Sequence, residues 1–288
     1  AGAGSGKTTV LIHRVANLMK YGKGSDCDLV PDGVTQEDLA FLETYAAQPT
    51  EEGRARAESL CRYEPAAPWS ILAITFTNKA AGELKERLER MLGPSANDVW
   101  ASTFHSCCAR ILRRDIDKLG YSTSFTIYDT ADSERVVKDV IKALNIDDKA
   151  FPPKTVLGYI SRAEDAMQLA ADYAAQCNKM GDRRLMRMAE IYTEYEKRLK
   201  AADALDFDDL ILRTVLLLRQ DEQVRNYYQR KFRYVLVDEY QDTNHLQYLL
   251  TSLLAGGRKN LCVVGDDDQS IYRFRGANIE NILNFEKQ

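Results

Sequence analysis

Short β-branched and apolar runs alternate along this chain with longer stretches in which apolar residues recur every three or four positions. The runs Ser70–Thr75, Val99–Thr103, Tyr234–Val237 and Leu261–Val264 predict strands. The longer period predicts helices over Val10–Lys20, Lys79–Met91, Cys107–Leu119, Ser133–Leu144, Lys154–Ala166, Arg183–Ala202 and Asp206–Leu218. In Arg183–Ala202, residues Leu185, Met188, Tyr192, Tyr195 and Leu199 share one face. Alternation of this kind predicts an α/β fold, a parallel sheet with helices on both faces. From Ser106 to about Asp203 strand signals nearly vanish, which predicts an all-helical subdomain interrupting the sheet. Residues 1–109 and 204–288 are then two parts of one sheet domain, and 110–203 the helical insertion.

Residues 21–68 change character. Gly22, Gly24, Pro31, Gly33, Pro49, Gly53, Pro65 and Pro68 punctuate them, which predicts a surface insertion. Two short helices are expected inside it, one after Thr35, where T-Q-E-D resembles a capping box, and one around Arg54–Leu60. The segment carries 10 acids against 4 bases, leaving 33 acids and 35 bases elsewhere. The net charge of −4 therefore belongs to the insertion, and charge neither supports nor excludes a nucleic-acid partner. A tolerated surface loop and a docking or DNA-excluding element are both open readings.

No apolar run approaches the ~18 residues of a membrane span, and no signal peptide is visible. The chain opens without Met directly on a glycine-rich motif, so a cut start is expected. Cys27, Cys61, Cys107, Cys108, Cys177 and Cys262 show no metal-site spacing and read as reduced thiols of a cytoplasmic protein. His13, His105 and His245 are far apart and suggest no metal site; His105 could contact phosphate.

The chemistry concentrates in a few motifs. Gly2, Ala3, Gly4, Ser5, Gly6, Lys7 and Thr8 form a phosphate-binding loop ahead of a helix. Its glycines let consecutive N–H groups curl around phosphate oxygens, and the helix dipole favours anions. Lys7 would reach the β- and γ-phosphates of ATP, and Thr8 would ligate Mg²⁺. The strand Tyr234–Val237 ends in Asp238, suited to holding Mg²⁺, and Glu239, suited to polarising a water. After Leu261–Val264 comes Gly265-Asp266-Asp267-Asp268-Gln269, where Gln269 could sense the γ-phosphate. Phe76, Phe104, Tyr240, Tyr272 and Phe274 lie near the same predicted sheet edge, where open parallel sheets bind ligands. Aromatics there can stack single-stranded bases, with Arg273 and Arg275 on phosphates. For Phe76 and Phe104, core packing is an equally open reading.

GAGSGKT, ILAITFTNKAA, VWASTFHS, LDFDDLI, VDEYQDTN and VGDDDQSIYRFRGA together resemble the superfamily 1 helicases of the UvrD/PcrA/Rep type, over nearly the whole chain except 21–68. The resemblance implies a RecA-like P-loop NTPase sheet and an ATP- and Mg²⁺-driven 3′–5′ DNA helicase acting in repair or replication. It implies single-stranded DNA and single-strand/duplex junctions as partners. It assigns Lys7, Asp238, Glu239 and Gln269 to catalysis, and Thr8 and Asp238 to the metal. Phe76, Asn78, Thr103, His105, Tyr272 and Phe274 are assigned to DNA. Thr9 replaces a frequent Arg and Phe274 a common Trp, which puts one nucleotide contact and part of a stacking surface in doubt. The resemblance also expects an adenine-recognising segment before Ala1, and a second RecA-like domain with arginine fingers after Gln288. The competing readings are the motor half of an AddA/RecB-type helicase–nuclease and a non-catalytic DNA-binding module.

Overall fold

The computed structural model describes residues 6–24 and 27–266. Helix α1 (Lys7–Lys20) leads through α2 (Gln36–Ala47) and α3 (Glu51–Leu60) to β1 (Ile71–Thr75). Then come α4 (Asn78–Leu92), β2 (Trp100–Thr103) and α5 (Phe104–Asp115). A helical block follows, with β3 (Thr126–Ile127), α6 (Thr130–Ala143), α7 (Pro153–Asp165), α8 (Ala170–Met180), α9 (Arg183–Ala201) and β4 (Ala204–Leu205). The described chain ends with α10 (Phe207–Gln220), α11 (Glu222–Lys231), β5 (Tyr234–Val237), α12 (His245–Ala255) and β6 (Leu261–Val263).

The four predicted strands pair in parallel in the order β2-β1-β5-β6. Their register puts Leu72, Trp100, Val235 and Leu261 in one row across the sheet, and Ala73, Ala101, Leu236 and Cys262 in the next. Because side chains alternate along a strand, the first row faces α5, α10 and α12, packing on Ile111, Leu112, Leu212, Val215 and Leu250. The second faces α1 and α4, packing on Leu11, Val15, Leu18, Leu84 and Leu88. All of β1 and β5 is buried, which is why these runs are continuously apolar rather than alternating.

The helical block has its own core of Val137, Val140 and Ile141 on α6, Val156 and Ile160 on α7, and Ile191, Tyr192, Tyr195 and Leu199 on α9. The chain enters and leaves it side by side. The two-residue strands β3 and β4 pair in parallel there, and Asp203 accepts hydrogen bonds from the N–H groups of Thr126 and Ser122. The sequence predicts no strand at this clasp. It also misses α8, α11 and α12: α11 buries only Val224 and Tyr228 among polar neighbours, and α12 is too evenly apolar to show a helical period.

The acidic segment 21–68 is closed at its neck. Lys23 N–H donates to Tyr63 O and Tyr63 N–H to Tyr21 O. Gly22 sits there at φ 64°, and a Cβ on it would lie 2.3 Å from the backbone oxygens of Tyr63 and Glu64, so only glycine fits. The expected capping box at Thr35 forms with Asp38. Asp38 also pairs with Arg56 of α3 at 2.9 Å, and Arg56 and the Thr35 N–H hold its carboxyl down at about 2.

Where the helical block meets the sheet domain, carboxyl groups crowd together. Glu164 is 2% exposed, and Tyr192 Oη donates to its Oε1 at 3.3 Å. Asp206 caps α10 and accepts from Tyr195 Oη at 2.7 Å. Asp209 pairs with Arg213 at 2.8 Å, and Arg213 reaches Glu196 at 2.9 Å. Burial, and then its acidic neighbours, push Glu164 well above the usual carboxylate range; burial and Asp208 push Asp165 up to about 7. Both pKa values are higher folded than unfolded, so the folded state holds protons that the unfolded chain releases. Their contribution to stability is complete below the unfolded value of about 4 and is lost as pH rises through the folded values. The urea midpoint is expected to fall between about pH 5 and about pH 8, and Glu164→Gln to flatten that slope. An unchanged slope in the variant would show that Glu164 is not the proton holder.

Candidate nucleotide and strand-binding site

The carboxyl end of the sheet brings together residues more than 200 positions apart. Gly6 caps α1 in the left-handed region (φ 78°) and supplies no side-chain cap, which leaves the first-turn N–H groups free of a capping side chain. One residue on, Lys7 Nζ lies 2.9 Å from Asp266 Oδ2, in the loop after β6, with both side chains nearly buried. Thr8 Oγ1 donates to Asp238 Oδ2 at 3.1 Å, at the end of β5. A hydroxyl and a carboxylate meeting at one point form a hard, oxygen-only donor set of the kind Mg²⁺ takes. The uncapped helix start beside them suits phosphate. The residues present thus fit a nucleotide with its metal.

Asp238 is 3% exposed. Burial pushes its carboxyl up, while the Thr8 hydroxyl and the Glu239 N–H, at 3.0 Å from Oδ1, draw it back. Glu239 adopts φ 50°, a left-handed conformation that a residue with a Cβ rarely takes. That turn swings the Glu239 side chain away from the strand line, into reach of Gln241. Gln241 Nε2 donates to Glu239 Oε2 at 2.7 Å, and Gln241 Oε1 accepts from Asp266 N–H at 2.9 Å. Gln241, 1% exposed, therefore links the acid at the end of β5 to the loop after β6. From sequence alone Gln241 has no assigned role, and Asp266 stands only as part of the Gly265–Gln269 motif, without its link to Lys7. The signal was a lone amide two residues after paired acids, which spacing alone does not distinguish from a surface turn.

Along the same edge the aromatics divide. Phe104 and Tyr240 are buried and belong to the core. Phe76 is half-buried and meets Phe104 edge-on, with centroids 5.4 Å apart. Asn78 is exposed at the first position of α4. Thr103 is 8% exposed, and its hydroxyl is engaged in capping α5 through Ser106. His105 packs edge-on against Phe207, centroids 5.9 Å apart, and burial lowers its pKa, so it is neutral at physiological pH. Phe207 is 49% exposed on the edge of the junction, a placement that the periodicity of its helix did not reveal. Thr9 is exposed. Gly2, Ala3, Gly4, Ser5, Gln269, Tyr272 and Phe274 lie outside the described residues.

None of the six cysteines is in a disulfide. Among the described residues, no His/Cys/Asp/Glu group of metal-site type is found, and no helix is long and apolar enough to cross a membrane.

The chain is similar in sequence to known DNA helicases. A family model described as UvrD/REP helicase N-terminal domain matches residues 54–288. An ATP-dependent DNA helicase PcrA of Bacillus subtilis (strain 168) is 46% identical over 287 residues, all of this chain and 33% of the relative. Proteins of the same name from Staphylococcus aureus strains Mu50 and NCTC 8325 are 44% identical over the same span. The chain thus spans about a third of the length of the curated relatives it matches.

Replacing Gln241 with Leu keeps much of the volume but removes the acceptor for Asp266 N–H and the donor to Glu239. An orphaned buried donor costs about 1–3 kcal/mol. Gln241→Leu is expected to lower stability by that amount in a urea titration; an unchanged midpoint would show that the bridge carries no weight.

Proposed function

The chain belongs to the UvrD/REP helicase family, and from that premise we propose that it is the ATP-binding part of a 3′–5′ DNA helicase motor acting in repair or replication. The convergence of Lys7, Thr8, Asp238 and Glu239 at one sheet edge carries the reading. Lys7 and the first-turn N–H groups of α1 hold the β- and γ-phosphates of ATP. Lys7 exchanges its contact with Asp266 for the incoming phosphate, an anion for an anion. Thr8 and Asp238 hold Mg²⁺, which offsets phosphate charge when bound. Glu239 orients the attacking water and accepts its proton, while Gln241 fixes the Glu239 side chain. In this reading Gly2, Ala3, Gly4, Ser5 and Thr9 complete the nucleotide cradle, and Gln269 contacts the γ-phosphate.

The strand-binding wall draws on Phe76 and Asn78 after β1, Thr103 at the end of β2 and His105 in the first turn of α5; Tyr272 and Phe274 are further strand contacts in this reading. Thr103 acts there by fixing the start of α5, since its hydroxyl already caps that helix. His105 meets the strand as a neutral ring. Single-stranded DNA and single-strand/duplex junctions are the partners. A second RecA-like domain of the same protein supplies the opposite wall and the arginine fingers, and the protein works in the cytoplasm.

The full-length protein is expected to hydrolyse ATP faster when single-stranded DNA is added, and Lys7→Ala to abolish that hydrolysis. Absence of stimulation in the unsubstituted protein would sink the motor reading. This reading places an adenine-recognising segment and arginine fingers, the fingers worth about 10³–10⁵ in rate, elsewhere in the full-length protein, so the 288-residue chain alone is expected to bind ATP weakly and unwind nothing. Lys7-dependent unwinding by the purified piece would contradict this.

A further inference from the structure

Asn244 and Asp165 are 79 positions apart, yet Asn244 Nδ2 donates to Asp165 Oδ1 at 2.7 Å. Asn244 is the N-cap of α12, and Asp165 is the last residue of α7 in the helical block. This is a direct side-chain link from the segment that follows Asp238 and Glu239 to the helical block.

The Asn244 side chain is used at both ends. Its Oδ1 accepts from Gln247 N–H at 2.9 Å, and its backbone N–H donates to Gln247 Oε1 at 3.1 Å, closing a capping box. The amide nitrogen is what remains for Asp165. Ser, Thr or Asp caps a helix as well as Asn, but none of these could cap α12 through its side-chain oxygen and also offer an N–H₂ group to α7. Asp165, in turn, stands where an acid is unfavourable. It lies at the C-terminal end of its own helix, where the dipole is negative, and burial beside Asp208 pushes its carboxyl up. Its position is favourable with respect to α12, whose positive N-terminal end it faces through Asn244.

The segment between the acids and Asn244 is stiff. After Glu239, residues Tyr240–Asp242 form one 3₁₀ turn. Asp242 N–H donates to Glu239 O, and both the N–H and the hydroxyl of Thr243 bond Tyr240 O. Tyr240 and Thr243 are fully buried. A displacement of Glu239 has little slack to absorb it before Asn244.

We infer that the Asn244–Asp165 hydrogen bond is a positioning strut that couples the acid loop of the ATP site to the helical block. It rests on the motor reading above. Among the hydrogen bonds of the described residues, neither residue pairs with Lys7, Thr8, Asp238 or Glu239. The pair acts by making the turn after Glu239 and the end of α7 move together; α7 packs on α10, whose Phe207 meets His105 of the strand-binding face, so that occupancy of that face and hydrolysis at Glu239 depend on each other.

The test exchanges donor and acceptor in the full-length protein. Asn244→Asp keeps a capping oxygen but sets a carboxylate against Asp165. Asp165→Asn keeps an acceptor for Asn244. The double variant N244D/D165N restores one donor and one acceptor in reversed order. N244D is expected to cut the stimulation of ATPase kcat by single-stranded DNA about three- to tenfold, with KM for ATP and the DNA-free rate unchanged. D165N is expected to behave as the unsubstituted protein, and the double variant to recover its stimulation. Recovery distinguishes a strut from a mere cap, because Asp165 plays no part in capping α12. Should N244D fail to fold, Asp165→Ala leaves the α12 cap intact and is expected to show the same loss of stimulation. Full stimulation in N244D or D165A, or a double variant as impaired as N244D, overturns the strut while leaving the motor reading standing. No stimulation in the unsubstituted protein overturns the motor reading and the strut's coupling role with it.

Discussion

A carboxylate buried at the end of a strand needs partners, because an isolated charge in a protein interior is too costly to keep. Asp238 is such a group. β5 is covered on both faces, so Asp238 leaves the sheet with almost no access to water. Its two oxygens are met by the Thr8 hydroxyl and the Glu239 N–H. Those contacts pin the first turn of α1 against the end of β5 and force the left-handed turn at Glu239. Gln241 then holds Glu239 and the Asp266 loop together, and Lys7 returns from α1 to Asp266. The ring closes through three chain segments that adjoin only in the fold. Strain at Glu239, of order 1–3 kcal/mol, is tolerable because the surrounding bonds fix the turn.

The sequence showed the strands most clearly because they are buried on both faces and so read as unbroken apolar runs. Val235 and Leu236 pack against different helices, yet both had to be apolar. The acids after β5 and the Lys-Thr pair at the start of α1 were legible because few residue types do their chemistry. Gln241 and Asp266 were not, since their role depends on two loops meeting across a sheet, and no local spacing records that. α12 was hidden for the opposite reason. Leu246, Leu250, Leu254 and Ala255 join the core and Tyr248, Leu249 and Leu253 pack against it, so the helix is apolar almost all round, and a helix with no clear polar face has no period to detect.

The sheet edge shows how a single residue type divides between packing and surface. Phe104 and Phe76 follow equivalent strands, yet Phe104 is the first residue of α5 and turns into the core, whereas Phe76 precedes the cap of α4 and stays half-exposed. The two-residue difference in where the helix starts after the paired strand ends decides which ring can meet a base. Thr103 is likewise committed to its helix, while His105, two residues on, leans on Phe207. The wall proposed for the strand is therefore built partly by α10, whose N-terminus also carries the carboxyl cluster beneath the helical block.

That shared helix bears on how the two bodies work together. α10 packs its apolar side on the sheet through Leu212 and Val215, and at its start Asp206 bonds Tyr195 of α9. A hinge between apolar surfaces could slide, but a junction made of oriented hydrogen bonds has few alternative registers. Tyr195–Asp206 and Asn244–Asp165 cross from the helical block to α10 and α12, while Tyr192–Glu164 joins α9 to α7 inside it, so the three involve four different helices. Each is short of compensating positive charge, with Arg213 the basic group paired to Asp209 and Glu196 there. Acidic groups held by hydroxyls and an amide rather than by cations keep their position at little net electrostatic gain. Such a boundary can therefore be specific in geometry without being strongly held, which is the combination a moving junction requires.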